Sequence, residues 1–171
     1  PVRLEVLVCN DPVFCFWKIH NYYVERAYKA CPSLISPTAR VHEKAYVASV
    51  NVEIGSHVIV EPNAVIHEGV VIGDRCVIRS GAIIGGDGFE QKRTSKGVVS
   101  VRHDGKVVIG NDVEIGVQNS IAKGFSWRDT KICDETRIDS LVHVAHGVHI
   151  GRGCLITACA EISGSVTIGN N

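Results

Sequence analysis

Ile or Val recurs at every sixth position along most of this chain, and that spacing constrains the fold more than any other feature. One series runs Ile54, Val60, Ile66, Ile72, Ile78, Ile84, a second Ile109, Ile115, Ile121, and a third Ile132, Ile138, Val144, Ile150, Ile156, Ile162, Ile168. Ile35, Val41 and Val47 begin the pattern, with one extra residue before Ile54. A period of six suits neither a 3.6-residue helix nor a ladder of hairpins; it suits a parallel β-helix built of hexapeptides. Each hexad then supplies one short strand, one inward aliphatic residue and one corner. Gly, Ser, Asn or Asp commonly follows the inward residue, where the chain must bend. Three hexads close a triangular coil of 18 residues, and stacked coils lie about 4.8 Å apart, as strands of a sheet do. The 19 inward positions make roughly six coils, a prism about 30 Å tall by that spacing.

Composition agrees. The 171 residues include 26 Val and 18 Ile but only 5 Leu. A helical core would favour Leu, whereas β-branched side chains suit strands. Lys plus Arg is 18 and Asp plus Glu is 18, a balance that argues against a general nucleic-acid binder. No run of 18 apolar residues occurs, so no membrane span is expected. The opening Pro1-Val2-Arg3-Leu4-Glu5 is unlike a signal peptide. The seven Cys are odd in number and form no C-x-x-C. Reduced thiols in a cytoplasmic protein are therefore expected, most of them as small buried residues.

Residues 1–33 lack the period and read as a small flanking α/β segment, so the chain divides into 1–33 and a β-helix over 34–171. Leu4-Glu5-Val6-Leu7-Val8 suggests a strand. Asp11-Pro12 is an N-cap and first-turn pair opening a helix to about Ala30, with Phe16, Ile19, Tyr23 and Ala27 near one face. At the other end the repeat is still running at Ile168-Gly169-Asn170-Asn171. A solenoid needs a cap there, so we expect the chain to continue or another chain to cover this end.

Two interruptions break the count. Nineteen residues are inserted between Ile84 and Ile109, and five between Ile121 and Ile132. Long excursions from a rigid scaffold are often functional. The first begins Gly85-Gly86-Asp87-Gly88-Phe89 and carries Lys92, Arg93, Lys96, Arg102 and Lys106, which read as a solvated loop. The second carries Phe125 and Trp127. An exposed Trp there would mark a subunit contact or a stacking surface, and a buried one would pack on its own prism.

Of eight His, five (20, 42, 57, 67 and 103) read as surface or corner residues, while His143, His146 and His149 cluster. No two His are five apart, as a known zinc class of β-helix would need, and no metal site is expected. His146 is the candidate base. It lies two residues after inward Val144, and Asp139 directly follows inward Ile138, which suggests a shared corner and a carboxylate that fixes the imidazole tautomer. Eighteen residues beyond His146 is Gly164, one coil later, whose N–H could face a developing oxyanion. No Cys pairs with the His cluster by spacing, so a thiol nucleophile is not expected.

These segments together resemble a known family. Ile84-Gly85-Gly86-Asp87-Gly88-Phe89, Val107 to Gly116, Ile138-Asp139 through Ala145-His146-Gly147-Val148, and Ile162-Ser163-Gly164-Ser165 are similar, in order and spacing, to the UDP-3-O-acylglucosamine N-acyltransferases of lipid A biosynthesis. The stretch that opens at Asn10-Asp11-Pro12 looks like the end of that family's uridine-binding domain. The sequence departs from the family pattern at Ala122-Lys123-Gly124, where Asp-Arg-Gly is usual.

The resemblance implies an all-β, left-handed parallel β-helix, assembled as a homotrimer with active sites between neighbouring prisms. It implies transfer of a (3-hydroxy)acyl chain from acyl carrier protein to the amine of a UDP-linked glucosamine. His146 would be the base, Asp139 its carboxylate and Gly164 the oxyanion donor. Asp87, Phe89 and Ser163 would lie on the substrate side. No bound cofactor is implied, the donor being a phosphopantetheine thioester of acyl carrier protein or CoA. An acetyl-CoA-dependent acetyltransferase on another nucleotide-linked amino sugar, and a non-catalytic β-helix used only for assembly, are the alternative readings.

Overall fold

Each hexad folds as two or three residues of strand followed by a turn, and successive strands step round three faces. In the computed structural model, which describes residue 6 and residues 8–171, one face holds seven parallel strands, from Leu34–Ile35 to Thr167–Ile168. The second face holds six, from Arg40–Val41 to Leu155–Ile156, and the third six, from Tyr46–Val47 to Glu161–Ile162. The result is a left-handed parallel β-helix of about seven turns. Register follows the sequence count. Val52 pairs with Val70, Val70 with Val107 and Val107 with Thr130, so both insertions loop out and the ladder resumes in phase.

The inward aliphatic residues are buried as the period requires. Ile54, Val60, Ile66, Ile72, Ile78, Ile84, Ile109, Ile115, Ile121, Ile132, Ile138, Val144, Ile150 and Ile162 form one continuous core, with Val47, Ile156 and Ile168 partly buried against it. Each is worth roughly 1.5–3 kcal/mol on full burial. At the first coil Ile35 and Val41 are exposed.

A second inward layer was not read from the sequence. The residue two before each inward aliphatic also points in, because alternate residues of a strand share a face. It is small or β-branched: Val52, Val58, Ala64, Val70, Cys76, Ala82, Val113, Val142, Val148 and Cys154 are all buried. Thr130, Thr136 and Asn119 fill the same row: Thr136 Oγ1 donates to Gly151 O at 2.8 Å, Thr130 Oγ1 to Ala122 O at 2.7 Å, and Asn119 Oδ1 accepts from Val142 N–H at 2.7 Å, while Asn119 Nδ2 is buried without a partner among the described residues. Only Cys76 and Cys154 of the seven thiols are buried. The expectation that most would be is corrected: just these two occupy the inner row.

Along the uninterrupted repeat from Ile54 onward, corners are made by the third residue after the inward aliphatic, which takes a positive φ of about 54–79°. Four of these are glycines (69, 81, 147 and 153), but His57, Arg75, Gln118, Glu135 and Leu141 also adopt it. The bend is therefore paid mostly in non-glycine strain, relieved by the next coil's hydrogen bonds.

The β-helix, Ala30–Phe89 with His103–Asn171, is one of two compact units; the other comprises residues up to Lys29 with Glu90–Arg102. In the smaller unit a helix spans Pro12–Ala27. Asp11 caps it by accepting from Phe14 N–H at 2.9 Å and also takes Ser95 N–H at 2.7 Å. Within the first insertion, Gln91–Thr94 and Gly97–Ser100 pair as an antiparallel hairpin. This corrects the reading of its cations as a solvated loop: Lys92 stands over Trp17 and Lys96 over Phe14, at 5.2 and 4.7 Å from the ring centroids. The packed helix face is accordingly Phe14, Trp17 and Asn21, and Phe16, Ile19 and Tyr23 are exposed. Of the strand expected over 4–8, residues 4, 5 and 7 lie outside the described residues.

Candidate functional site

Both insertions leave the prism at the corner that joins the third face to the first. The first follows Ile83–Gly86 and precedes Val107–Ile109; the second follows Ser120–Ala122 and precedes Thr130–Ile132. His146 leaves the next third-face strand, His143–Val144, at the same corner, and Gly164 does so one coil later after Glu161–Ile162. Four consecutive coils thus deliver side chains or bare backbone to one edge.

There the imidazole of His146 is held between two glycines. A Cβ on Gly164 would stand 2.6 Å from its Cε1 and 2.7 Å from its Nε2. A Cβ on Gly88 would stand 3.2 Å from its Cβ and Cδ2. A side chain at 164 would have to displace the ring, and one at 88 would need it to give by a few tenths of an ångström. Phe125 meets the ring edge-on at 5.0 Å between centroids, and His103 at 5.7 Å. Phe125 and His103 also meet each other at 5.1 Å. The sequence read His103 as a surface or corner residue; it packs at the corner and is only 5% exposed. Its position at the end of the first insertion, facing the corner, was the available signal.

The turn that carries His146 is bolted on both sides of Gly147. Gly147 N–H donates to Thr130 Oγ1 at 2.8 Å, and that hydroxyl donates to Ala122 O at 2.7 Å. Gly147 O accepts from Arg128 Nε at 2.6 Å. The Gly164 turn is tied to the same place, since Ser165 N–H donates to the backbone carbonyl of His146 at 2.9 Å.

Asp139 is not beside His146 in the same chain. It sits at the corner between the second and third faces, at the other end of the strand His143–Val144, and its Oδ1 accepts from Ser140 N–H at 2.7 Å. The expected shared corner is corrected: one hexad step carries the chain a full face onward. Asp87 pairs with Lys123 at 3.0 Å. Both line a polar groove of about 310 Å³ with Tyr46, His67, Glu68 and Gly85, on the same edge as His146 in earlier coils. Phe89 is 88% exposed, Ser163 is exposed immediately before Gly164, and Trp127 is 93% exposed rather than packed on its own prism. One thiol does touch the His cluster, where sequence spacing gave no pairing: Cys133 Sγ lies 3.3 Å from His149 Nε2. That pair is at the opposite end of the first face from His146. Among the described residues no group of three or more His, Cys, Asp or Glu could hold a metal ion, and no helix is long and apolar enough to cross a membrane.

Residues 51–86 and 129–164 match the bacterial transferase hexapeptide (six repeats) family. The chain is 46% identical over 105 residues to the UDP-3-O-acylglucosamine N-acyltransferase of Methylobacterium nodulans, which covers 61% of this chain and 29% of that protein. It is 39% identical over 112 residues to the enzyme of the same name from Hahella chejuensis, covering 66% and 32%. The chain therefore spans about a third of the length of the curated relatives it matches. Among solved structures, the UDP-N-acetylglucosamine acyltransferase from Campylobacter jejuni superposes with a TM-score of 0.63 at 25% identity, covering 79% of this chain and 52% of that one. Two stretches of the chain thus carry the bacterial transferase hexapeptide repeat, and over 61–66% of its length the chain is similar to UDP-3-O-acylglucosamine N-acyltransferases.

Proposed function

We propose that this chain carries the catalytic β-helix of an N-acyltransferase that moves a (3-hydroxy)acyl chain from the phosphopantetheine thioester of acyl carrier protein, or of CoA, to the amine of a UDP-linked glucosamine. The observation that carries the reading is the imidazole of His146 pressed against the backbone of Gly164. A candidate base and a bare peptide group stand side by side, at the corner whose earlier coils carry the polar groove. The acceptor amine attacks the thioester carbonyl while His146 takes its proton, for about 10²–10⁴-fold in rate. The tetrahedral oxyanion accepts a hydrogen bond from Gly164 N–H, worth about 10²-fold or more. Collapse expels the pantetheine thiolate, which takes the proton back from His146. No acyl-enzyme forms. Asp87 lines the groove that would receive the sugar, with Phe89 and Ser163 as further substrate contacts. The protein works in the cytoplasm, where both thioester donors are made.

Asp139 accompanies an imidazole only if the two come from different chains, because within one chain they occupy different corners. A homotrimer with sites between prisms meets that need. The test is thiol release from acyl-carrier-protein and CoA thioesters by the wild type and by His146→Ala, which should fold normally and lose at least tenfold in rate. Mixing Asp139→Ala chains with His146→Ala chains should restore activity, since some interfaces then hold both native residues. A His146→Ala variant retaining more than about a tenth of the wild-type rate would falsify the base assignment.

A further inference from the structure

We infer that Arg128 is a positioning residue that locks the turn bearing His146 to the turn bearing Gly164, an inference that rests on the acyl-transfer reading above. Its guanidinium spans two coils. Nε donates to Gly147 O at 2.6 Å, and Nη2 donates to Ser165 O at 2.8 Å and lies 3.4 Å from Thr167 Oγ1. Gly147 directly follows the base, and Ser165 directly follows the oxyanion glycine. One rigid, planar, charged group therefore sets the separation of the two turns whose mutual distance the chemistry needs.

The backbone is arranged to deliver this side chain. Ser126 and Trp127 both take positive φ, +50° and +61°. Two consecutive non-glycine residues in that region are strained, and such strain persists only where the surroundings enforce it. Here the surroundings are explicit: Ser126 N–H donates to Asp104 Oδ1 at 2.7 Å, and Lys106 N–H to Asp129 Oδ1 at 2.8 Å. The reversal turns the chain back so that Arg128 reaches the next two coils while Phe125, three residues earlier, meets the His146 ring. The five-residue insertion thus makes one wall of the site and clamps its two working turns.

Lysine would donate as a point charge and could not fork to both carbonyls in a fixed plane. Without the guanidinium, the two turns keep the Ser165 N–H to His146 O bond and the flanking bonds from Ala145 N–H to Ile162 O and His149 N–H to Val166 O, but lose the side-chain clamp that fixes the carbonyls of Gly147 and Ser165 in one plane. A misplacement of about 1 Å at a reacting group costs about 10²-fold.

The experiment compares wild type, Arg128→Lys and Arg128→Ala by steady-state kinetics, thermal melting and the proton resonances of the His146 ring, which lie in the ring-current field of Phe125. For Arg128→Ala we expect kcat to fall about 10²-fold, the KM of both substrates to stay within about threefold, and the His146 ring resonances to shift. Arg128→Lys should fall between, and added guanidinium should restore part of the Arg128→Ala rate. An Arg128→Ala protein with wild-type kcat and unmoved His146 resonances overturns the inference. So does a loss of rate that only tracks a melting point below the assay temperature in both variants. If wild type transfers no acyl group from any thioester, the acyl-transfer reading fails instead, and the His146 resonances still decide whether Arg128 holds the ring.

Discussion

Substituting Gly164 by alanine adds one methyl group at the point where the proposed chemistry is most crowded. The added Cβ would lie 2.6 Å from Cε1 and 2.7 Å from Nε2 of His146. Ordinary contact begins near 3.4 Å, so the ring must retreat by about 0.8 Å from the new carbon. It cannot do so directly. The Gly88 backbone lies behind it, close enough that a Cβ there would come within 3.2 Å of the ring's Cδ2, and Phe125 and His103 flank it. The ring must tip out of the corner, carrying its basic nitrogen away from the Gly164 N–H. Gly164 is not among the residues with positive φ, so alanine fits its backbone, and the effect is confined to the ring. A shift of about 1 Å is worth about 10²-fold in rate, or about 2.7 kcal/mol of barrier. Thiol release under saturating substrates should show that loss in kcat with an unchanged melting temperature. Gly169→Ala is the matched control, since a Cβ there meets nothing within 4 Å, and it should behave as wild type. A Gly164→Ala enzyme within about threefold of wild-type kcat would mean that the imidazole's place against this peptide is irrelevant to turnover, and the catalytic argument would fall with it.

Two further outcomes concern the scaffold. Leu141 holds φ +60° with its side chain 56% exposed; Leu141→Asn keeps the corner with a residue that tolerates it and should stabilise the fold by about 1 kcal/mol, raising Tm by about 2–4 °C, whereas an unchanged or lower Tm would count against corner strain. The Arg79 guanidinium, 2.7 Å from Glu61, holds that carboxyl below its ordinary value of 4.5. A depressed folded pKa adds stability above the unfolded value, which is lost as pH falls through the folded one. Melting curves from pH 7 to 2 should therefore show Glu61→Gln with a shallower acid limb below about pH 4.5 than wild type, and parallel limbs would refute the coupling.

The prism was legible because its cause is one-dimensional. A single inward aliphatic every sixth residue fixes strand, corner and register, and the insertions of 19 and 5 residues drop out of the ladder as the count requires. The inner row was missed because it is chemically mixed. Val58, Ala64, Cys76, Thr136 and Asn119 share modest size and burial rather than one residue type. The helix was read from Asp11-Pro12, but its packed face was offset, because what covers Phe14 and Trp17 is a hairpin some eighty residues away in sequence. Local periodicity holds no information about such a partner.

The site divides along the same line. His146 and Gly164 could be paired from sequence because they are 18 residues apart on an uninterrupted stretch, and arithmetic alone stacks them. Gly88, His103 and Phe125 lie in insertions, where the count is lost and regained. Yet the arithmetic could have placed the insertions themselves. Ile84, Ile121, Val144 and Ile162 all occupy the third face, so each departure from the repeat begins at the corner His146 occupies. A rigid coil tolerates extra chain wherever the next strand can still rejoin, and this chain places both excursions at a single edge. That concentration favours a built site over chance looping. It is also why Asp139, one face earlier and at the other end of its strand, has no route to the same imidazole except through a second copy of the chain.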